Sequence, residues 1–111
     1  MSKRAYLGNF ELMVMLVLIR LGENAYGIPI AHEIEMKSGR EVSLGSIYAT
    51  LERLEAKGLV SSKLGEPTQE RGGRAKKFFS VTAKGMREVS ETQRVLKLLW
   101  QGLRQLEGRR A

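Results

Sequence analysis

Between Ser43 and Val60 the chain reads SLGSIYATLERLEAKGLV, and this one stretch holds a helix start, a helical repeat and a helix stop. Ser43 is placed to cap the N-terminus, its hydroxyl accepting one of the first-turn N–H groups that have no intrahelical partner. Leu44, Ile47, Leu51 and Leu54 recur at three- and four-residue steps, which puts them in one apolar stripe along a helix. Gly58 follows the last helical position, where a left-handed cap carries no Cβ penalty. Leu59 and Val60 then leave the cap as extended chain.

The opposite face carries the functional signal. At about 100° per residue, Gly45, Ser46, Ala49 and Arg53 point away from the stripe, with Tyr48 and Thr50 on its flanks. A solvated helix face is usually filled with Lys, Glu and Gln. Here its N-terminal half is small or hydroxylated, so the helix backbone can approach a flat polar partner closely. Fourteen helical residues span about 21 Å, which suits an α-helix laid in the major groove of DNA. Taken alone, the stretch also fits an ordinary amphipathic core helix.

A chain of 111 residues makes one domain with a modest core. The absence of cysteine excludes a disulfide, a thiol nucleophile and cysteine-ligated zinc. The single histidine, His32, has no companion for metal binding or proton transfer and reads as a surface residue on a helix. Gly72-Gly73 is not followed by Gly-Lys-Ser/Thr, so no phosphate-binding loop is indicated, and the serines lack a base. No enzymatic activity, cofactor or metal is therefore expected. The longest apolar run, Leu12 to Ile19, is too short to span a bilayer. Glu11 leads into it, Arg20 ends it and no small-residue cleavage site follows, which argues against a leader peptide. A cytoplasmic protein without membrane attachment is expected.

The net charge is +7 and it is unevenly placed. Residues 1–42 hold five basic and five acidic side chains, and residues 43–62 hold two of each. The excess lies beyond them, five against two in 63–83 and seven against three in 84–111. Clustering of this kind favours a polyanionic partner.

Around the central stretch the other elements fall into place. Leu7 to Leu21 is apolar nearly all round, so this first helix needs burial on more than one side. In so small a chain the second side points to another subunit. Gly22-Glu23-Asn24 is a turn, and Gly27-Ile28-Pro29 opens a second helix whose proline falls in the first turn, where a missing N–H costs nothing. Ile30 and Ile34 face inward and Ser38-Gly39 ends it. Val60 to Leu64 and Lys76 to Val81 read as two strands, with Phe79 and Val81 on one face of the second and Lys77 and Ser80 on the other. Phe78 is an unexplained aromatic on that second face. The polar connection between the strands carries Arg71-Gly72-Gly73-Arg74, so the pair forms a hairpin with a long basic tip. Thr82 caps a last helix from about Ala83 towards Glu107. Met86, Val89, Gln93, Leu96, Trp100 and Leu103 make one row along it, and Val95, Leu99 and Leu106 a second, a face too wide for the chain's own core.

The fold class predicted is mainly α with a small antiparallel β-hairpin. It is a winged helix-turn-helix over residues 1–81 joined to a C-terminal dimerisation helix over 82–111. In detail the chain resembles the PadR family of transcriptional regulators, over residues 7 to about 106. The resemblance rests on Ala25-Tyr26-Gly27, Ser46-Ile47-Tyr48 with Leu51, and Arg53-Leu54-Glu55-Ala56-Lys57-Gly58-Leu59. The wing adds Gly72-Gly73-Arg74-Ala75-Lys76-Lys77-Phe78-Phe79, followed by Val81-Thr82-Ala83-Lys84-Gly85. It implies a homodimeric DNA-binding regulator, usually a repressor, whose last helix packs on the first helix of the partner. It also implies that the third helix enters the major groove, that Tyr48 lies near the DNA backbone, and that Arg74, Lys76 and Lys77 touch phosphate or minor groove. Phe78-Phe79 stand where tyrosines are common in the family, and the single C-terminal helix resembles its small branch.

The expected DNA contacts are Ser43, Gly45, Ser46, Tyr48, Ala49, Thr50, Arg53, Arg71, Arg74, Lys76 and Lys77. Ser43 is foremost a cap. Ser46 and Thr50 are placed for base-edge hydrogen bonds and Ala49 for a thymine methyl. Arg53 either contacts DNA or pairs with Glu52 or Glu55. The wing cations position the protein without specifying sequence. Phe10, Met13, Val89, Leu96, Leu99, Trp100 and Leu103 are expected at the dimer interface. Trp100 packs in that seam or walls a pocket for a small apolar or aromatic effector. Two rivals stand beside this reading: a winged helix used for protein–protein contact through its basic surface, and an RNA-binding module, against which the scarcity of stacking aromatics counts.

Overall fold

The computed structural model describes residues 7–65 and 76–106. Its order is α1 (Asn9–Leu21), a 3-10 turn (Gly22–Asn24), α2 (Gly27–Ser38), α3 (Leu44–Ala56), β1 (Val60–Leu64), β2 (Lys77–Val81) and α4 (Ala83–Trp100). Helices α1, α2 and α3 pack around a core that includes Val14, Met15, Ile30, Ile34, Ile47, Leu51 and Leu54, all essentially inaccessible to water. The hairpin closes one side of that core with Val60 and Phe79.

The local signals act as the sequence suggests at α3. Ser43 is extended, and its Oγ accepts from the Ser46 amide at 3.0 Å. At the other end Gly58 takes φ 77°. The Leu59 amide donates to the Leu54 carbonyl at 3.0 Å and the Gly58 amide to that of Glu55 at 2.9 Å. This is the paired closure in which a left-handed residue lets two orphan carbonyls be satisfied. Leu44, expected in the buried stripe, is exposed instead; it sits in the first turn, above the level of the core.

The strands pair antiparallel with Val60 opposite Val81 and Ser62 opposite Phe79. The outer edge of β2 is tied to the helix-turn-helix, since the Phe79 amide donates to the Ala25 carbonyl at 2.9 Å. Lys77 lies on the Phe79 face, not opposite it, and its Nζ stands 5.7 Å from that ring. Strict two-residue alternation requires this, and it corrects the assignment of Lys77 to the Ser80 face.

α4 begins where Thr82 Oγ1 accepts the Gly85 amide at 3.0 Å and donates to the Gly58 carbonyl at 2.7 Å. Gly85 is buried against the Leu59 carbonyl, and a Cβ there would overlap that oxygen and come within 2.7 Å of Val81 Cγ1. The first three turns of α4 are thereby pressed onto α1 and β2. From Gln93 onward most of the helix is exposed, with Leu98 58% and Leu99 68% exposed and Val95 half-buried. The helix stops at Trp100, short of the expected Glu107. Gln101 is extended and Gly102 takes φ 82°. Leu103 and Leu106 therefore sit on following turns and do not continue the helical rows. No helix among the described residues is long and apolar enough to cross a membrane.

Candidate nucleic-acid interface

The outward face of α3 presents Gly45, Ser46, Tyr48, Ala49, Glu52 and Arg53 to solvent. Gly45 and Ala49 keep it low. Ser43 Oγ donates to Ser46 Oγ at 2.9 Å, so the two hydroxyls form a chain that starts at the cap and ends at Ser46. Thr50 does not belong to this face. It is 2% exposed, and its Oγ1 accepts from Arg53 Nη2 at 3.2 Å. Its spacing from Ile47 and Leu54 puts it on the buried stripe, which removes it from the base contacts.

Tyr48 stands at the edge of the face with its ring 6.3 Å from that of Phe79. Its hydroxyl lies directly over Gly27, where any Cβ would overlap it and would approach Cζ to 2.8 Å. Gly27 is glycine for room rather than for backbone angle, since its φ is not positive. The Ala25-Tyr26-Gly27 segment is thus the seat of Tyr48, a pairing across sequence that residue patterns alone do not link.

On the wing side, Lys76 Nζ stands 4.5 Å from the Tyr26 ring centroid and donates to the Tyr26 hydroxyl at 3.4 Å. Tyr26 meets Phe78 edge-on at 5.3 Å. Phe78 therefore has a structural role: it backs the ring that carries Lys76. Both Lys76 and Lys77 rest on aromatic faces, an attraction worth ~0.5–1 kcal/mol at exposed sites. Arg71 and Arg74 lie outside the described residues.

Arg53 pairs with neither Glu52 nor Glu55. Its Nε lies 3.8 Å from Glu11 of α1, which also accepts from Lys57 Nζ at 3.1 Å. Glu55 accepts instead from Ser62 Oγ at 2.7 Å. Burial pushes the Glu11 carboxyl up, but the Gly8 amide and the Lys57 and Arg53 cations together outweigh it and hold its pKa below the ordinary 4.5.

A second feature lies away from this face. Leu12 and Leu16 of α1 and Val89, Gln93, Leu96 and Trp100 of α4 line an open, mainly apolar groove of about 530 Å³. Leu96, Leu99, Trp100 and Leu103 are exposed, and Phe10 and Met13 are half-buried. Val89 is already buried in the protomer's own core, so it forms the groove floor rather than a face for a partner. Among the described residues no group of three or more His, Cys, Asp or Glu is arranged to hold a metal.

Residues 15–91 match the sequence model of the transcriptional regulator PadR-like family. In structure the chain is similar to a PadR-like transcription factor from Bacteroides fragilis, with 30% identity over 81% of this chain and 82% of that one, at a TM-score of 0.70. It is also similar to a PadR family transcriptional regulator from Eggerthella lenta, with 28% identity, coverage of 87% and 83%, and a TM-score of 0.67. The complex structure of hsRosR-S4 superimposes with 26% identity, coverage of 86% and 76%, and a TM-score of 0.67. No curated protein sequence matches the chain.

Proposed function

Since the chain belongs to the PadR-like family and is a DNA-binding transcriptional regulator, we propose that it acts in the cytoplasm as a homodimeric repressor that reads an inverted repeat. In this reading residues 1–81 hold the DNA and residues 82–111 pair the subunits. The observation that carries it is the low outward face of α3, with Gly45, Ser46 and Ala49 exposed alongside Tyr48, whose ring stands 6.3 Å from Phe79 on the strand that carries Lys77. Ser46 donates to a base edge, Ala49 meets a thymine methyl, and Tyr48 and the wing lysines lie along phosphates. Ser43 holds the first turn in place. The protein carries no reaction of its own.

Selection of bound duplexes from a random pool tests this. The expected product is an inverted repeat with half-sites about 34 Å apart, one helical turn. Ser46→Ala should then relax preference at one position per half-site by ~1–3 kcal/mol while binding to random duplex stays nearly constant. A non-symmetric consensus would remove the two-fold dimer. Failure to enrich any duplex would favour the rival reading, a protein–protein module with a basic surface.

The α1–α4 groove supports a second role for Trp100, which is 56% exposed beside it. Packing in the dimer seam is the first role. The second is an aromatic wall for a flat apolar effector held between subunits. Trp100→Ala separates the two. A mutant that falls to monomer assigns packing. One that stays dimeric on DNA but no longer binds flat aromatic dyes bound by the parent assigns the pocket. A parent that binds no such dye ends the effector reading.

A further inference from the structure

Glu11 stands in the first turn of α1, yet its carboxylate serves α3. Oε1 accepts the Gly8 amide at 3.0 Å, while Oε2 receives Lys57 Nζ at 3.1 Å and lies 3.8 Å from Arg53 Nε. The carboxylate is only 12% exposed, whereas the Arg53 and Lys57 side chains are 57% and 43% exposed. An acid withdrawn from water holds its cations more firmly than a surface acid does, because less solvent screens the attraction. Arg53 is on the outward face of α3, one turn beyond Ala49, so this cation is bound to α1 beside the surface that meets DNA.

We propose that Glu11 is a positioning residue for DNA recognition, holding Arg53 and Lys57 against α1 and out of phosphate contact. The inference rests on the reading of α3 as the helix that enters the major groove. Its consequence is the strength of sequence-independent binding. Phosphate contacts add affinity to every sequence alike, so two cations withheld at the reading helix lower non-specific binding and leave base contacts at Ser46 and Ala49 untouched. The Gly8 amide completes the arrangement by fixing the carboxylate at the start of α1. With its pKa held below the ordinary value, Glu11 is charged at neutral pH.

Glu11→Gln is the test, because it keeps an oxygen for the Gly8 amide and removes the charge. Binding of the full chain to a random duplex and to the selected duplex is followed by fluorescence anisotropy over a series of KCl concentrations. The expected result is random-duplex binding about tenfold tighter at low salt, with a slope of log K against log salt steeper by about 2 per protomer. Binding to the selected duplex should tighten by the same factor, so the preference between the two duplexes stays close to that of the parent. In the double variant Arg53→Gln, Lys57→Gln, with Glu11 in place, the slope should become shallower by less than about 1 per protomer. This second variant decides the matter if Glu11→Gln does not fold. An unchanged slope or weakened binding in Glu11→Gln overturns the proposal, as does a slope shallower by about 2 per protomer in the double variant. A parent that binds no duplex removes this proposal together with the reading beneath it. A parent that binds normally beside an indifferent Glu11→Gln removes this proposal alone.

Discussion

Leu96→Glu combined with Leu99→Glu is expected to give a folded monomer that binds the inverted repeat about 10²–10⁴ times more weakly. Both side chains are largely exposed in the protomer, at 45% and 68%, and α4 has no fully buried residue once it has passed Thr92. Surface substitutions of this kind usually change protomer stability by less than about 0.5 kcal/mol. In the proposed dimer the same positions face the partner's α1, and two carboxylates per subunit would be stripped of water without a cation to meet them. Without pairing, one bivalent event becomes two separate half-site events, and the gain from effective concentration disappears. Sedimentation gives the mass, circular dichroism the fold, and operator titration the affinity. A variant that remains dimeric with parental affinity would place the interface elsewhere.

The reach of sequence reasoning differs between these elements for physical reasons. Ser43 and Gly58 are legible because capping is local: a hydroxyl three residues before an amide, and a glycine where the backbone must turn left-handed. The end of α4 is not, because the apolar spacing runs on through Leu103 and Leu106. One glycine, Gly102, overrides that spacing where no core rewards its continuation. The polarity of Thr50 suggests an outward position, although three residues from Ile47 and four from Leu54 is a buried one. The Glu11–Lys57 pair cannot be read at all, since the partners are separated by 46 positions and charge spacing speaks only within one helix. The seat of Tyr48 on Gly27 leaves one trace in the sequence. Glycine in the first turn of a helix weakens it relative to alanine, and no left-handed angle explains its presence there.

Lys76→Ala with Lys77→Ala should weaken binding to the selected operator and to random duplex by the same factor, on the order of a hundredfold near physiological salt. The slope of log K against log salt should become shallower by about 3–4 for the dimer, roughly 0.9 for each phosphate that is no longer neutralised. The reasoning starts from how the two cations are held. Lys76 is fixed over Tyr26, and Tyr26 is braced by Phe78, while Lys77 stands over Phe79. Lysine side chains carry about 2 kcal/mol of rotamer entropy, and resting them on rings removes part of that cost before DNA arrives. Tyr26→Leu therefore separates charge from placement. It keeps both ammonium groups, so the salt slope should stay close to that of the parent, while affinity falls several-fold because Lys76 must be ordered on binding. Lys76→Arg with Lys77→Arg should restore the slope. If the double alanine variant keeps the parental slope, the wing lysines do not touch phosphate, and the excess positive charge of the C-terminal half must act through another surface.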